Sequence, residues 1–344
     1  MKNNEPIRAV LVGCGGMSKK WLSVVQAMND VEITALVDMD VSKAEERRDQ
    51  YELNGILTTG KLIEAITHVN PDVVFDCTIP AAHYEITMEA LGNGCHVLGE
   101  KPMSDSMDNA REMMRTAQAN NRIYAVIKNR RYDDNIVRYR ETLKKAPIGD
   151  ITTVNADFFK GNLSPGFREE MRHVLLRDMA IHSFDQARFI CGEEPLSVYC
   201  HEWTPKGSWF AHGPSAVAVF EMTGGVVFTY RGSWCAQGLP TPWQCEWRTI
   251  GTDGSATWDG ENQIKCQHMK LSEENKKVAR DFVAPDIPPL PHKWHAGVIR
   301  EFVDCVRQGG TPQTDCRHNI KSFAMVEAAV ESSGNGKKVL IDAT

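Results

Sequence analysis

Apolar runs and amphipathic stretches alternate regularly along the first 125 residues of the chain. The apolar runs are short and continuous, which is typical of strands buried on both faces. The predicted strands cover residues 7–13, 31–38, 55–57, 72–78, 95–100 and 123–127. The predicted helices cover residues 18–28, 42–51, 62–68, 83–93 and 106–120. This strand–helix alternation predicts a doubly wound parallel sheet with helices on both faces.

The pattern changes after about residue 130. Helices are predicted over residues 134–145, 172–191, 295–308 and 317–333, and strands over 151–159 and the runs SVYCHEWT, AVAVFEM, VVFTYRGSW, WQCEWRTIG and SATWDG. Thr223-Gly224-Gly225 predicts a hairpin turn, because glycine adopts positive φ easily. We expect a first domain over residues 1–128 and an α+β C-terminal domain over 129–344 with a large, mostly antiparallel open sheet. Whether the last helix packs back on the first domain stays open.

Composition and charge indicate which classes of partner and which compartment to expect. The 344 residues carry a net charge of −6, which disfavours nucleic acid or an anionic membrane as partner and favours a small molecule. The first residues lack the pattern of a signal peptide, and no apolar run is long enough to span a membrane. The ten cysteines are scattered without a CxxC pair. We therefore expect a reduced, cytoplasmic protein.

A glycine-rich turn follows the first predicted strand. Gly13, Gly15, Gly16 and Met17 lead into a predicted helix, the arrangement that lets backbone N–H groups face a pyrophosphate. Ser18 stands where such loops usually carry a third glycine or alanine. The strand before the turn and the helix after it favour dinucleotide binding over a simple turn, and so a Rossmann domain.

Asp38 ends the second predicted strand, about 20 residues after this turn. A carboxylate there can accept the adenosine ribose hydroxyls and would repel a 2′-phosphate. Met39 and Asp40 supply no arginine to hold that phosphate. NAD is therefore preferred over NADP as cofactor, with an ordinary loop aspartate as the alternative.

Two further segments carry candidate chemistry. Glu100-Lys101-Pro102 follows a strand at the sheet edge where ligands bind, although a solvated turn is the common reading of such a pair. Asp178, His182 and Asp185 are spaced to share one face of the helix predicted over 172–191. Because their neighbours are apolar and an unpaired buried charge is costly, these side chains need polar partners. The partners are either a ligand in a pocket or an internal hydrogen-bond network.

In this order and spacing, these segments resemble the Gfo/Idh/MocA family, the glucose–fructose oxidoreductase and inositol dehydrogenase group. The resemblance extends over nearly the whole chain. Its further elements are Thr78-Ile79-Pro80 with His83, Arg130-Arg131-Tyr132, and the ending from Pro312 to Lys337-Lys338-Val339.

The resemblance implies roles for individual residues. Lys101, Asp178 and His182 would contact the reacting alcohol, with His182 as proton acceptor, Lys101 stabilising the oxygen, and Asp178 orienting substrate or His182. Asp185 would anchor its helix. The implied cofactor-binding residues are Gly13, Gly15, Gly16, Met17, Asp38, Thr78, Ile79, Pro80, His83, Glu100, Lys101 and Arg131. The implied substrate-binding residues are Lys101, Tyr132, Arg168, His173, Asp178 and His182. The family fold also implies a homo-oligomer in which one face of the second sheet meets a neighbouring subunit.

The chain departs from the family pattern in places. A Gly-Gly pair commonly precedes the aspartate, whereas this chain has Met171-Arg172-His173-Val174-Leu175-Leu176, which puts the substrate's identity in doubt. Arg172 joins Arg168 and His173 as a source of extra polar contacts. Trp203, Trp209 and Trp234 are the preferred candidates for stacking on a sugar ring, although tryptophan is also an ordinary core residue. His292 and His295 lack companion ligands, so no metal is expected.

These features predict an NAD-dependent oxidoreductase acting on a secondary hydroxyl of a sugar, glycoside or cyclitol, with pyranose C3 as one specific version. A first alternative is an NAD-dependent glycosidase that uses transient oxidation and elimination. A second is a non-catalytic NAD-binding sensor, which the presence of Lys101 and His182 disfavours.

Overall fold

The computed structural model describes residues 5–163 and 166–343, which divide into two compact units. The first unit comprises Met1–Tyr132 and Pro291–Ile320, and the second comprises Asp133–Leu290 and Lys321–Ala343. The expected division placed all of residues 129–344 in one domain. In the structure the chain instead returns to the first unit over Pro291–Ile320 before it ends in the second.

The first unit contains a parallel sheet of six described strands in the order β3-β2-β1-β4-β5-β6. The strands are β1 (Ile7–Val12), β2 (Val31–Val37), β3 (Leu57–Thr59), β4 (Val73–Asp76), β5 (His96–Gly99) and β6 (Tyr124–Val126). The connecting helices are α1 (Gly16–Gln26), α2 (Val41–Gln50), α3 (Leu62–Val69), α4 (Pro80–Gly92) and α5 (Met107–Ala119). The predicted doubly wound sheet is confirmed.

Burial explains why these segments are strands. Val10 and Leu11 of β1 and Val74 and Phe75 of β4 are completely buried, because helices cover both faces of a parallel sheet. Helix α5 begins at a recognisable signal, the side chain of Ser106, which accepts a hydrogen bond from the N–H of Asn109. Because all these strands are parallel, their carboxyl ends meet at one edge of the sheet.

The second unit contains a sheet of nine described strands in the order β14-β13-β12-β11-β7-β10-β9-β8-β15. The strands are β7 (Ile151–Phe159), β8 (Pro195–Trp203), β9 (Ser215–Met222), β10 (Val227–Ser233), β11 (Glu246–Gly251), β12 (Gly254–Trp258), β13 (Ile264–Leu271), β14 (Lys277–Phe282) and β15 (Val339–Leu340). The remaining helices are α6 (Asp134–Lys145), α7 (Ile181–Cys191), α8 (Trp294–Gln308) and α9 (Cys316–Asn335). The sheet is mostly antiparallel, as predicted, with a parallel pairing between β7 and β10.

The predicted turn at Thr223–Gly225 connects β9 and β10, which pair in antiparallel fashion. Gly224 has a φ of 66°, a conformation that a side chain would make unfavourable. One face of this sheet packs on α7, where the ring of Phe184 meets the rings of Phe220, Phe228 and Tyr230 edge-on. The opposite face leaves alternate residues of β9, such as Val217 and Val219, exposed.

No disulfide joins any of the ten cysteines, which all lie within the described ranges, and most of them are buried. Within the described ranges, no helix combines the length and the apolar character that crossing a membrane requires.

Helix α8 is held in the first unit by packing and by ion pairs. The ring of Phe302 lies 6.4 Å from that of Phe75 in β4. The two terminal nitrogens of Arg300 donate to the two carboxylate oxygens of Asp30 at 2.7 and 2.9 Å. These hydrogen bonds, together with the charges of Arg300 and Arg307, hold the pKa of Asp30 below its usual value of 3.8 although partial burial opposes the shift.

Arg300→Met is expected to lower the free energy of unfolding of the first unit by about 1–3 kcal/mol at pH 7, the usual contribution of charged hydrogen bonds. The depressed pKa of Asp30 stabilises the folded state above about pH 3.8, and that stabilisation is lost as the pH falls through the folded-state value. The difference between wild type and variant, measured by urea denaturation, should therefore shrink below about pH 4. Lys61→Met, which removes an exposed pair with Glu64, is the control and should cost less than about 0.5 kcal/mol. Equal losses in the two variants would contradict an anchoring role for Arg300.

Candidate cofactor and active site

The glycine-rich turn between β1 and α1 has room for a ligand on one side only. A Cβ on Gly13, whose φ is 89°, would lie 2.8 Å from the backbone at Cys77 and Thr78, so only glycine fits there. A Cβ on Gly15 or Gly16 would meet no heavy atom of the described residues within 4 Å. Gly15 also lacks a side chain that could cap α1. The first N–H groups of the helix therefore remain accessible to an anion such as the diphosphate of a dinucleotide.

Asp38 lies beside this turn at the end of β2. Its Oδ2 accepts a hydrogen bond from the N–H of Cys14 at 2.8 Å, and its Oδ1 accepts from the N–H of Asp40 at 3.0 Å. Each carboxylate oxygen has a second lone pair, so these bonds orient the group without exhausting it. The position fits a carboxylate that binds a ribose next to the diphosphate site.

A buried ion pair supports the turn after β4. Asp76 is completely buried, and its Oδ2 lies 2.8 Å from Nδ1 of His83. The N–H and hydroxyl of Thr78 donate to Oδ1 of Asp76 at 2.9 and 2.5 Å. Burial opposes both charged forms, yet their mutual attraction and hydrogen bonds raise the pKa of His83 and lower that of Asp76. The sequence analysis did not identify Asp76.

The side chains of this turn differ in accessibility. His83 is buried with Nδ1 turned toward Asp76, whereas Ile79 is 66% exposed and Pro80 starts α4. The predicted cofactor-binding residues Thr78, Ile79 and Pro80 therefore lie at the surface of the turn that packs against Gly13, and His83 lies beneath them.

Glu100 is only 7% exposed at the end of β5. Its Oε1 accepts from the indole N–H of Trp21 in α1 at 2.9 Å, and its Oε2 accepts from the N–H of Lys101 at 3.2 Å. Burial raises the pKa of Glu100, against the opposing effects of the Trp21 hydrogen bond and the Lys101 charge. Glu100 thus links helix α1 to the backbone of Lys101, whose side chain remains partly exposed.

Arg131 and Tyr132 lie in a short 3-10 helix at Asn129–Tyr132. The hydroxyl of buried Tyr132 donates to Glu301 of α8, and burial together with this carboxylate raises the pKa of Tyr132. Arg131 points its Nη1 toward the carbonyl of Gln313 at 3.4 Å. Tyr132 thus holds α8 in place through Glu301. A role of Tyr132 in substrate binding stays a prediction.

In the second unit, Asp178 lies in a π-helical segment, Leu175–Ala180, that continues into α7. The predicted helix over 172–191 therefore begins later and is not a regular α-helix throughout. Short π-helical segments are rare and frequently occur at functional sites. Oδ2 of Asp178 accepts from Nε of Arg168 at 2.7 Å, so two predicted substrate-binding residues are in direct contact.

The next two polar residues of this helix differ in burial. His182 is partly exposed although Ile181 and Ser183 beside it are buried. Asp185 is buried and accepts a hydrogen bond from the hydroxyl of Ser322 at 2.8 Å. Asp185 therefore anchors α7 to α9, whereas His182 is accessible from outside the helix.

His173 contacts a buried carboxylate. Its Nδ1 lies 2.7 Å from Oε2 of Glu202, and its φ of 56° is unfavourable for a residue with a side chain. The two residues line a cavity of about 420 Å³ that Arg172, Trp203 and His212 also line. The sequence analysis did not identify Glu202, because a glutamate inside a strand carries no signal of a partner 29 residues away.

The prediction that Trp234 stacks on a sugar ring is wrong. This residue is 3% exposed and stacks on Phe210 with ring centroids 5.2 Å apart, so it belongs to the core. Trp203 is 40% exposed and stacks on His201, and it remains available to a ligand. Within the described ranges, no group of three or more His, Cys, Asp or Glu residues is arranged to hold a metal ion, at His292 and His295 or elsewhere.

Comparisons with known proteins place both units in one family. The family model described as "Oxidoreductase family, NAD-binding Rossmann fold" matches residues 7–128, and the Gfo/Idh/MocA C-terminal domain model matches residues 136–257. An inositol 2-dehydrogenase of Rhizobium meliloti is 27% identical, over 97% of this chain and 99% of the relative. The D-glucoside 3-dehydrogenase of Escherichia coli is 28% identical over 60% of each chain.

A solved oxidoreductase from Agrobacterium radiobacter, in complex with NAD+, L-tartaric acid and magnesium, has the same fold. Its TM-score is 0.83 at 20% identity, over 97% of this chain and 98% of that one. The two family models together span more than half of the sequence. The chain therefore belongs to the Gfo/Idh/MocA family of NAD-binding oxidoreductases.

Proposed function

We propose that this protein is an NAD-dependent dehydrogenase that oxidises a secondary hydroxyl of a sugar, glycoside or cyclitol. The observation that carries the proposal is Lys101, partly exposed at the same sheet edge as the glycine-rich turn and fixed through its backbone by Glu100. Family membership and the similarity to enzymes named inositol 2-dehydrogenase and D-glucoside 3-dehydrogenase support the substrate class. The second of these names favours C3 of a pyranose as the reacting carbon.

NAD would be held by the residues at the carboxyl ends of the strands of the first unit. The backbone of Gly13, Gly15, Gly16 and Met17 would bind the diphosphate, and Asp38 would bind the adenosine ribose. The remaining proposed cofactor contacts come from Thr78, Ile79, Pro80, Lys101 and Arg131. His83 and Glu100, also predicted to contact the cofactor, are buried and would instead support these turns from beneath. When bound, NAD supplies the acceptor for the hydride that leaves the alcohol carbon.

The protein's own groups would manage the proton and the developing charge. We assign the hydroxyl proton to His182, because histidine is the side chain that most often serves as a general base and this residue is partly exposed. The ammonium group of Lys101 would donate a hydrogen bond to the oxygen as it becomes a carbonyl. Asp178, fixed by Arg168, would orient the substrate or His182. Tyr132 and His173 complete the proposed substrate-binding set.

We also propose that copies of the chain associate through the exposed face of the second sheet. A groove of about 870 Å³ on this face is lined by Asn155, Asp157, Val217, Val219 and Arg231 among others. Exposed valines beside paired charges, such as Arg231 with Asp157, are the mixed surface that subunit interfaces commonly use.

The test is incubation of the protein with NAD and a panel of hexoses, inositols and glucosides, with NADH absorbance and product analysis recorded together. We expect NADH and a keto product in equal amounts. Aglycone release without NADH would contradict net oxidation and favour redox-assisted elimination. No product across the panel would contradict the proposed substrate class.

On the substrate found, Lys101→Ala and His182→Ala should each lower kcat about 100-fold or more, the usual scale for a positioned acid or base. His182→Ala should keep the Kd for NAD within about twofold, because its proposed role is chemical. Lys101→Ala also removes a proposed cofactor contact, so it should raise that Kd, but by far less than it lowers kcat. Lys61→Ala and His292→Ala, at exposed positions, are the matched controls and should keep wild-type turnover. Wild-type kcat in both site variants would refute the assignment.

Asp38→Ala should raise the Kd for NAD about tenfold, equivalent to ~1.4 kcal/mol, because one carboxylate no longer binds the ribose. The Kd for NADP should change less or fall, since the charge that repels its 2′-phosphate is removed. Titration with both cofactors measures the ratio. Asp40→Ala, at the exposed neighbouring carboxylate, is the control. An unchanged NAD-to-NADP ratio would rule out the ribose role.

A further inference from the structure

Arg47 is buried although it lies in the charged stretch Glu45-Glu46-Arg47-Arg48 of α2. Only 5% of its surface is exposed. A buried guanidinium is costly unless hydrogen bonds replace its water shell, so the groups that Arg47 contacts show why it is there.

The partners of Arg47 belong to the glycine-rich turn. Its Nη2 donates to the carbonyl of Cys14 at 2.9 Å and lies 3.5 Å from the carbonyl of Gly15. Its Nε donates to the hydroxyl of Ser18 at 3.1 Å. Nη1 donates to the side chain of Gln50 on the same helix. One side chain of α2 therefore contacts two carbonyls of the turn and the first turn of α1.

Ser18 completes the arrangement. It is fully buried, and its hydroxyl donates to the carbonyl of Gly15 at 2.6 Å while it accepts from Arg47. Glycine or alanine, the usual residues at this point of a dinucleotide-binding turn, could neither donate nor accept here. The serine and the arginine thus form a matched pair.

The peptide groups around Cys14 are held from both sides of the turn. The N–H of Cys14 donates to Asp38, and its carbonyl accepts from Arg47. Both holding residues come from the β2–α2 region, which therefore determines the path of the turn between β1 and α1. The carbonyls of Cys14 and Gly15 point toward Arg47, which helps direct the following N–H groups elsewhere.

An arginine after the second strand commonly binds the 2′-phosphate of NADP. Arg47 is not placed for that role, because its guanidinium is buried and donates to the turn. Its charge remains under the backbone that faces the diphosphate, where a positive group favours an anion.

We propose that Arg47, together with Ser18, is a positioning residue that holds the glycine-rich turn in the shape that binds the dinucleotide diphosphate. Arg47 orders the turn before the cofactor arrives and adds a positive charge beneath it. The inference rests on cofactor binding at this turn, and it is independent of which alcohol is oxidised.

The test compares Arg47→Met, Arg47→Lys, Ser18→Ala and the double variant Arg47→Met/Ser18→Ala. Isothermal titration with NAD and with ADP-ribose, which keeps the diphosphate but lacks nicotinamide, measures affinity without turnover. Arg48→Met is the matched control, because Arg48 is the next residue and pairs at the surface with Asp49. Hydrogen exchange of residues 13–18 in the cofactor-free protein reports whether the turn is ordered.

We expect Arg47→Met to raise both Kd values about 10- to 100-fold, the range that corresponds to losing one or two charged hydrogen bonds. Arg47→Lys should recover part of the loss because it keeps the charge, and Ser18→Ala should cost about 3- to 10-fold. The double variant should lose less than the product of the single effects, since the two side chains act through one contact. Hydrogen exchange over residues 13–18 should accelerate, and kcat at saturating NAD should stay within about twofold.

A folded Arg47→Met protein that binds NAD and ADP-ribose as tightly as wild type would overturn the proposal. Losses equal to those of Arg48→Met, or strictly multiplicative effects of the two substitutions, would do the same. If Arg47→Met does not fold, Ser18→Ala and Arg47→Lys decide, because unchanged affinity in both is incompatible with the proposal. Failure of the alcohol panel leaves the binding titrations intact, so the two hypotheses fail separately.

Discussion

The close approach of Gly13 to the backbone at Cys77 and Thr78 is the constraint on which the cofactor side of the molecule depends. It follows from the pairing of β1 with β4 in a parallel sheet, which brings the ends of these strands together. A side chain at Gly13 would separate the two turns and open the edge. With this contact in place, the turns after β1, β2, β4 and β5 lie at the same edge of the sheet. They carry the glycine-rich segment, Asp38, Thr78 and Lys101, respectively.

Buried polar groups beneath that edge shape the turns above it. Asp76 with His83 supports the turn after β4, Glu100 with Trp21 supports the backbone of Lys101, and Arg47 supports the glycine-rich turn. Each of these groups is expensive to bury without a partner, so each enforces one local geometry. The residues proposed to contact ligand are therefore only the outer part of the candidate site, and the buried groups beneath determine their positions.

The sequence predicted the first sheet well, because short apolar runs separated by amphipathic helices have few alternative folds. It did not predict β13 and β14, since Ile264–Leu271 and Lys277–Phe282 are largely exposed and lack an alternating apolar face. The sequence also did not predict the π-helical segment at Leu175–Ala180. A change of the backbone hydrogen bond from residue i+4 to i+5 does not alter the spacing of apolar residues enough to be recognised. An amphipathic helix such as α8 reveals that one face is buried but not which unit buries it.

For the candidate site too, the sequence indicated residue types and strand ends but not which buried groups contact them. Lys101 and Asp38 were chosen as candidates because strand ends in parallel sheets are known binding positions, and their roles stay predictions. Arg47 was not identified, because nothing in its neighbours distinguishes a buried arginine from an exposed one. The two edges of the second sheet differ. At one end β15 pairs with Ser197 and Val198 of β8, and at the other end the outermost strand β14 presents Lys277, Arg280 and Asp281. Charges on an outermost strand oppose the addition of further strands to it, so the β14 edge of this long sheet is protected against fibre-like growth.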